Sequence, residues 1–132
     1  MRPLFAEVRR YGPYSRSGEF VYDRPFLWGS KRTGPDLHRV GGKYSDAWHE
    51  IHIIDPRAVV PDSIMPAYPW LAERAANADG DIEAKLRGLA TLGHPYSDQD
   101  IAGAAASLEG ATELDALIAY LQMLGTGMEE TP

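Results

Sequence analysis

The sequence predicts an all-α fold in which short helices are joined by long structured loops. Apolar residues in the back half recur at helical spacing between recognisable start and stop residues, and no period-two run of strand length occurs. The front half is rich in glycine, proline and aromatic residues, a composition suited to loops with fixed turns. At 132 residues the chain has the length of one compact domain, and residues 1–132 are read as one.

Residues 2–10 form a first helical candidate, with Phe5 and Val8 packed. Ser45 is placed to cap a helix over residues 46–54, with Trp48, Ile51 and His52 inward, until Pro56 interferes with its continuation. Pro61, Pro66 and Pro69 then hold residues 59–70 in a stiff, irregular path. Ile82, Leu86, Leu89 and Ala90 share one face of a helix that Gly93 and Pro95 stop. Ser97 and Asp100 make a capping-box start for the next helix, whose face carries Ile101, Ala105 and Leu108 before Gly110. From Thr112, the spacing of Leu114, Leu117, Ile118, Leu121 and Leu124 predicts the last helix, ended by Gly125 and Gly127. Leu117, Ile118 and Leu121 are expected in the core, with Tyr120 beside residues 5–8.

The formal net charge of −6 is uneven. Residues 1–66 carry ten Lys and Arg against eight Asp and Glu, whereas residues 67–132 carry three against eleven. Such a dipole can orient a docking partner, and a solvated acidic back half explains it equally well. No basic stripe interleaved with aromatics occurs, which disfavours nucleic-acid binding. No apolar run reaches the roughly 18–20 residues of a membrane-spanning helix, so the chain as it stands is expected to be soluble. The sequence contains no cysteine, which rules out disulfides, cysteine-ligated zinc and thioether-linked heme on these residues.

Long loops in a small helical domain are unusual unless something fills the middle, and a heme would do so. Iron in c-type cytochromes takes one His and often a Met carried on a loop. Met65, pinned by Pro66, is such a methionine, although a lone loop Met more often serves packing. Trp28, Tyr44, Trp48 and Trp70 have the apolar bodies and polar donors that line a heme, or equally an ordinary core or interface. His49 and His52 stand three apart around Glu50, but two histidines without a third ligand rarely hold a metal. His38 and His94 are isolated, and Asp79, Asp81, Glu83, Asp98 and Asp100 read as acids at helix starts rather than as a calcium loop.

The run TGPDLHRVGGKYSD (33–46) resembles the segment of class I cytochromes c that follows the heme-attachment site, and LIAYLQMLG (117–125) resembles their C-terminal helix. The blocks RPLFAEVRRYGPYS, FLWGSKRTGPDL, SDAWHEIHIIDPRAVVPDSIMPAYPWL and TELDALIAYLQMLG resemble the monoheme, FixO-like subunit II of cbb-type cytochrome c oxidases. The resemblance implies a class I cytochrome c-like fold and a role in aerobic respiration, passing electrons from a diheme cytochrome c subunit to the catalytic heme-copper subunit. It also implies the periplasmic face of a bacterial inner membrane, heme c, Met65 as distal iron ligand, Pro35 orienting the proximal histidine through its carbonyl, and Leu37 against the ring. Tyr44 and Trp48 are candidates for the heme surroundings.

One departure accompanies the match. The family carries a membrane helix and a Cys-x-x-Cys-His motif just before the Arg-Pro that is Arg2-Pro3 in this chain. The chain is therefore expected to be N-terminally truncated relative to the family and to bind no covalent heme by itself. It is not expected to be catalytic alone. The alternative is a heme-free structural or interaction domain of the same fold; without heme, the front-half loops or the N-terminal segment are expected to pack onto a second copy.

Overall fold

The computed structural model describes residues 9, 12, 16–25, 34 and 37–126. The helical candidate at residues 2–10, Pro35 and Trp28 lie outside them, apart from Arg9, which is helical. Helices α1 (Asp46–Ile54), α2 (Pro56–Val59), α3 (Ile82–Thr91), α4 (Asp98–Ser107) and α5 (Glu113–Met123) are joined by loops, with 3-10 turns at Ser17–Phe20 and Pro69–Ala72. Among the described residues the one β-type pairing is an isolated bridge between Ala75 and Thr112. The fold is all-α and cytochrome c-like.

The chain divides into two compact units, Met1–Tyr44 with Tyr120–Pro132, and Ser45–Ala119. The division falls inside α5.

In the unit Ser45–Ala119, helix starts are set by short polar side chains. Ser45 Oγ accepts the Trp48 amide at 3.2 Å and opens α1. Pro56, expected only to end that helix, instead occupies the first turn of α2, where a missing amide costs nothing and Asp55 caps the Arg57 amide at 3.2 Å. The buried line of α1 is His49 and Ile53. Ile51, expected inward, is exposed, and Trp48 and His52 are half-buried: the inner stripe runs i, i+4 from His49, one step around the helix from the set that hydropathy suggested.

Helices α3 and α4 pack together. The predicted face of α3 is half-buried throughout, while α4 buries Ile101 and Ala104 and leaves Ala105 and Leu108 half-buried. The Ser97–Asp100 capping box is present, with the Ser97 amide donating to Asp100 Oδ2 at 2.8 Å and the Asp100 amide to Ser97 Oγ at 3.1 Å. Thr112 and Asp115 repeat it at the start of α5, at 2.8 and 3.1 Å. The bridge segment is fastened by Ala76 N–H to the Ala111 carbonyl (2.9 Å), Glu113 N–H to the Arg74 carbonyl (2.8 Å), and the Arg74–Glu113 ion pair (3.1 Å). Leu114 and Ile118 are buried along α5, and Leu117 is half-buried.

In the other unit the buried side chains include Phe20, His38, Val40, Leu121 and Leu124. The turn at residues 37–44 is stitched to the end of α5. Gly41 donates to the Leu124 carbonyl at 3.0 Å, Gln122 Oε1 accepts the Gly42 amide at 2.8 Å, and Gln122 Nε2 donates to the Tyr44 carbonyl at 2.8 Å. A Cβ on Gly41 would stand 2.4 Å from the Gln122 carbonyl oxygen, so only glycine allows this approach. Gly125 ends the helix at φ 80°, and a Cβ there would meet Arg39 Cα and the His38 carbonyl oxygen at 2.8 Å.

Candidate functional site

The loop that carries Met65 is built from its two ends. At one end Val60 closes α2 by donating its amide to the Pro56 carbonyl at 2.9 Å. At the other the Tyr68 amide donates to the Ile53 carbonyl of α1 at 2.9 Å. Between these fixed points Pro61 and Pro66 each restrict φ, and Pro69 opens the following 3-10 turn. The Ser63 amide donates to the Val60 carbonyl at 2.9 Å, and Ser63 Oγ accepts the Met65 amide at 3.2 Å. Met65 is half-buried, while its neighbour Ile64 is 86% exposed. Adjacent side chains of the loop thus differ sharply in exposure. Trp70, at the end of the loop, is exposed and meets Tyr68 edge-on at 5.4 Å.

On α1 the Trp48 ring stacks on His52, with centroids 4.5 Å apart and planes 18° from parallel, and stands edge-on to His49 at 5.5 Å. Burial holds the His49 imidazole below its ordinary value, with Asp46 opposing the shift and His52 adding to it; burial lowers His52 as well. The two histidines are thus one buried group and one stacked group. Among the described residues no set of three or more His, Cys, Asp or Glu is gathered to hold a metal ion.

Four of the acids at helix starts, Asp79, Asp81, Asp100 and Asp115, have structural partners. Lys85 Nζ lies 2.7 Å from Asp81 and 3.9 Å from Asp79, and the Asn77 side chain accepts the Ile82 amide at 3.2 Å. The Ser97 hydroxyl and amide hold Asp100 below the usual carboxylate range, and the Thr112 amide and hydroxyl do the same for Asp115.

Met65 and Trp48 belong to the unit Ser45–Ala119, and Leu37 and Tyr44 to the other. Leu37 and Tyr44 are both exposed. His38 is buried, with 2% of its surface accessible, and His94 is half-buried. Two partners escaped the sequence reading. Ser63 was signalled by Ser-x-Met ahead of Pro66, a spacing at which a hydroxyl can accept an amide two residues on. The Thr112–Asp115 box was signalled by Thr-x-x-Asp.

The family model described as cytochrome c oxidase, mono-heme subunit/FixO, matches residues 1–112. The chain belongs to the FixO family. A search of curated proteins found no match. As a FixO protein the chain is an electron-transfer subunit of a cytochrome c oxidase complex, in a family that carries one heme per subunit. Among the described residues no helix is long and apolar enough to cross a membrane. The residues fit a heme on one side: Met65 is a half-buried methionine on a tethered loop and offers a thioether. They do not fit covalent attachment, which needs cysteines this chain lacks.

Proposed function

We propose that this FixO chain carries electrons from a diheme cytochrome c subunit to the catalytic heme-copper subunit of a cbb-type oxidase, at the periplasmic face of the membrane. In this reading residues 1–132 act as one cytochrome c-like domain and Met65 is the distal ligand of the heme iron. Pro35, Leu37, Tyr44 and Trp48 contribute to the heme surroundings. The observation that carries the reading is the Met65 loop, a half-buried thioether held between two prolines and tied to α1 and α2. A bound heme supplies one-electron chemistry. The chain supplies the sulfur, the loop that holds it, and apolar and aromatic side chains that exclude water.

The absence of cysteine supports a second reading, in which these residues bind no covalent heme and serve as a structural or interaction domain that self-associates. Visible absorption of the purified protein separates the two. A Soret band with narrow α and β bands supports electron transfer, and a colourless protein that elutes as a dimer supports the second. In the heme-bearing subunit, Met65→His should abolish the sulfur-to-iron charge-transfer band and lower the heme potential, because a thioether favours reduced iron. An unchanged near-infrared spectrum in that variant removes Met65 from the site.

A further inference from the structure

The geometry points to Ser63 as a positioning residue for Met65, an inference that rests on the ligand reading above. An iron–thioether bond is directional, and a ligand on a loop is useful only if the backbone presents it in one orientation. Groups outside the ligand set provide that orientation through hydrogen bonds. Around Met65 the prolines restrict φ at 61 and 66, and Pro66 also biases the Met65 torsions toward the extended region, but residues 62–64 are under no such restraint. Ser63 is the residue that closes this gap. Its amide is fixed to the Val60 carbonyl at 2.9 Å, and its hydroxyl oxygen accepts the Met65 amide at 3.2 Å.

The two bonds act in series. The end of α2 sets Val60, Val60 sets Ser63, and Ser63 sets the peptide plane that enters Met65. The same plane sends Ile64 outward, where it is 86% exposed, and Met65 into its half-buried position. Loss of the hydroxyl breaks the last link while leaving the helices and prolines in place. A side-chain oxygen that accepts an amide two residues on is a local device, so its removal should be felt at Met65 and little elsewhere.

The test uses the full chain with Ser63→Ala, Ser63→Thr and Met65→Leu. Hydrogen exchange at the Met65 amide, read without any heme, should speed up about three- to tenfold in Ser63→Ala and return toward wild type in Ser63→Thr, which keeps a hydroxyl. The second arm titrates each protein with a ferric heme peptide that carries its own proximal histidine and one open axial position. Wild-type chain should convert the iron to a low-spin, sulfur-ligated form. Ser63→Ala should bind about three- to tenfold more weakly and leave a larger high-spin fraction at saturation, with Ser63→Thr again close to wild type. Wild-type exchange at Met65 in Ser63→Ala, or an unchanged spin state, overturns the positioning role. If Met65→Leu gives the same low-spin spectrum as wild type, the ligand reading itself fails; if only Met65→Leu loses it, Met65 stands and Ser63 does not.

Discussion

The Tyr120 hydroxyl donates a 2.7 Å hydrogen bond to Asp23 Oδ2, joining the end of α5 to a turn 97 residues earlier in the chain. Burial, then the hydrogen bond to Asp23 and its charge, push the Tyr120 phenol well above its ordinary value of 10.0. The folded state therefore holds this proton after the unfolded chain has released it. Stability from this group is present below pH about 10 and is lost as pH rises beyond it. Tyr120→Phe should cost about 1–2 kcal/mol at pH 7 and flatten the fall in Tm between pH 9 and 11. Parallel Tm curves for the two proteins across that range would mean the phenol is not protected.

His49 sets the acid side. Its imidazole is buried and its affinity for a proton is lowered from 6.5. The unfolded chain takes up a proton that the folded chain resists, so this contribution is complete above pH 6.5 and lost as pH falls below it. His49→Leu should reduce the decline in Tm between pH 7 and 5, measured by calorimetry in low-absorbing buffers. An unaltered slope would assign the acid limb to other groups, His52 first among them.

Two glycines should respond to alanine with opposite sign. At Gly41 a Cβ would stand 2.4 Å from the Gln122 carbonyl oxygen and 2.7 Å from that of Leu124, so Gly41→Ala should destabilise by more than about 2 kcal/mol. Gly88 lies in α3, with nothing within 4 Å of the added carbon, and Gly88→Ala should stabilise by about 0.5–1 kcal/mol. Urea unfolding of the pair checks both. Equal effects would mean that the turn at residues 37–44 is not fastened to α5 as described.

Leu121 is buried near the end of α5, and Leu121→Ala should cost about 2–5 kcal/mol. A melting temperature indifferent to the change would make the helix end peripheral.

Helices were legible where local chemistry decides them. Ser45 and Ser97 start helices at the residues that sequence reasoning chose, and Leu114, Ile118 and Leu121 of the predicted stripe are buried in α5. Ile51 went astray because α1 carries apolar or aromatic residues around much of its circumference, so hydropathy alone left the inner face ambiguous, and packing selected His49 and Ile53. Pro56 reads as a stop and is also a start, since the same ring that bars continuation of α1 suits the first turn of α2. The 3-10 turns at Ser17–Phe20 and Pro69–Ala72 are too short for periodicity to register. The Met65 loop is marked in the sequence by its Met-Pro pair; the Ser-x-Met spacing allows the Ser63 bond, but the backbone torsions that make it are set by the turn from Val60. Tyr120 was expected beside residues 5–8, which lie outside the described residues; its observed partner, Asp23, is a pairing that sequence separation hides.

The central claim is that the Met65 sulfur, among four methionines, is the one that meets iron. Carbon-13 labelling of the methionine methyl groups tests it most directly, in the chain bound to a reduced heme peptide with one open axial position. A methyl seated over the porphyrin is shifted far upfield by the ring current, and Met65→Leu identifies its signal by deletion. The account predicts that the Met65 methyl alone moves, while exposed Met123 stays at its free position. A shifted Met123 signal, or a bound heme that leaves the Met65 methyl in place, would contradict it.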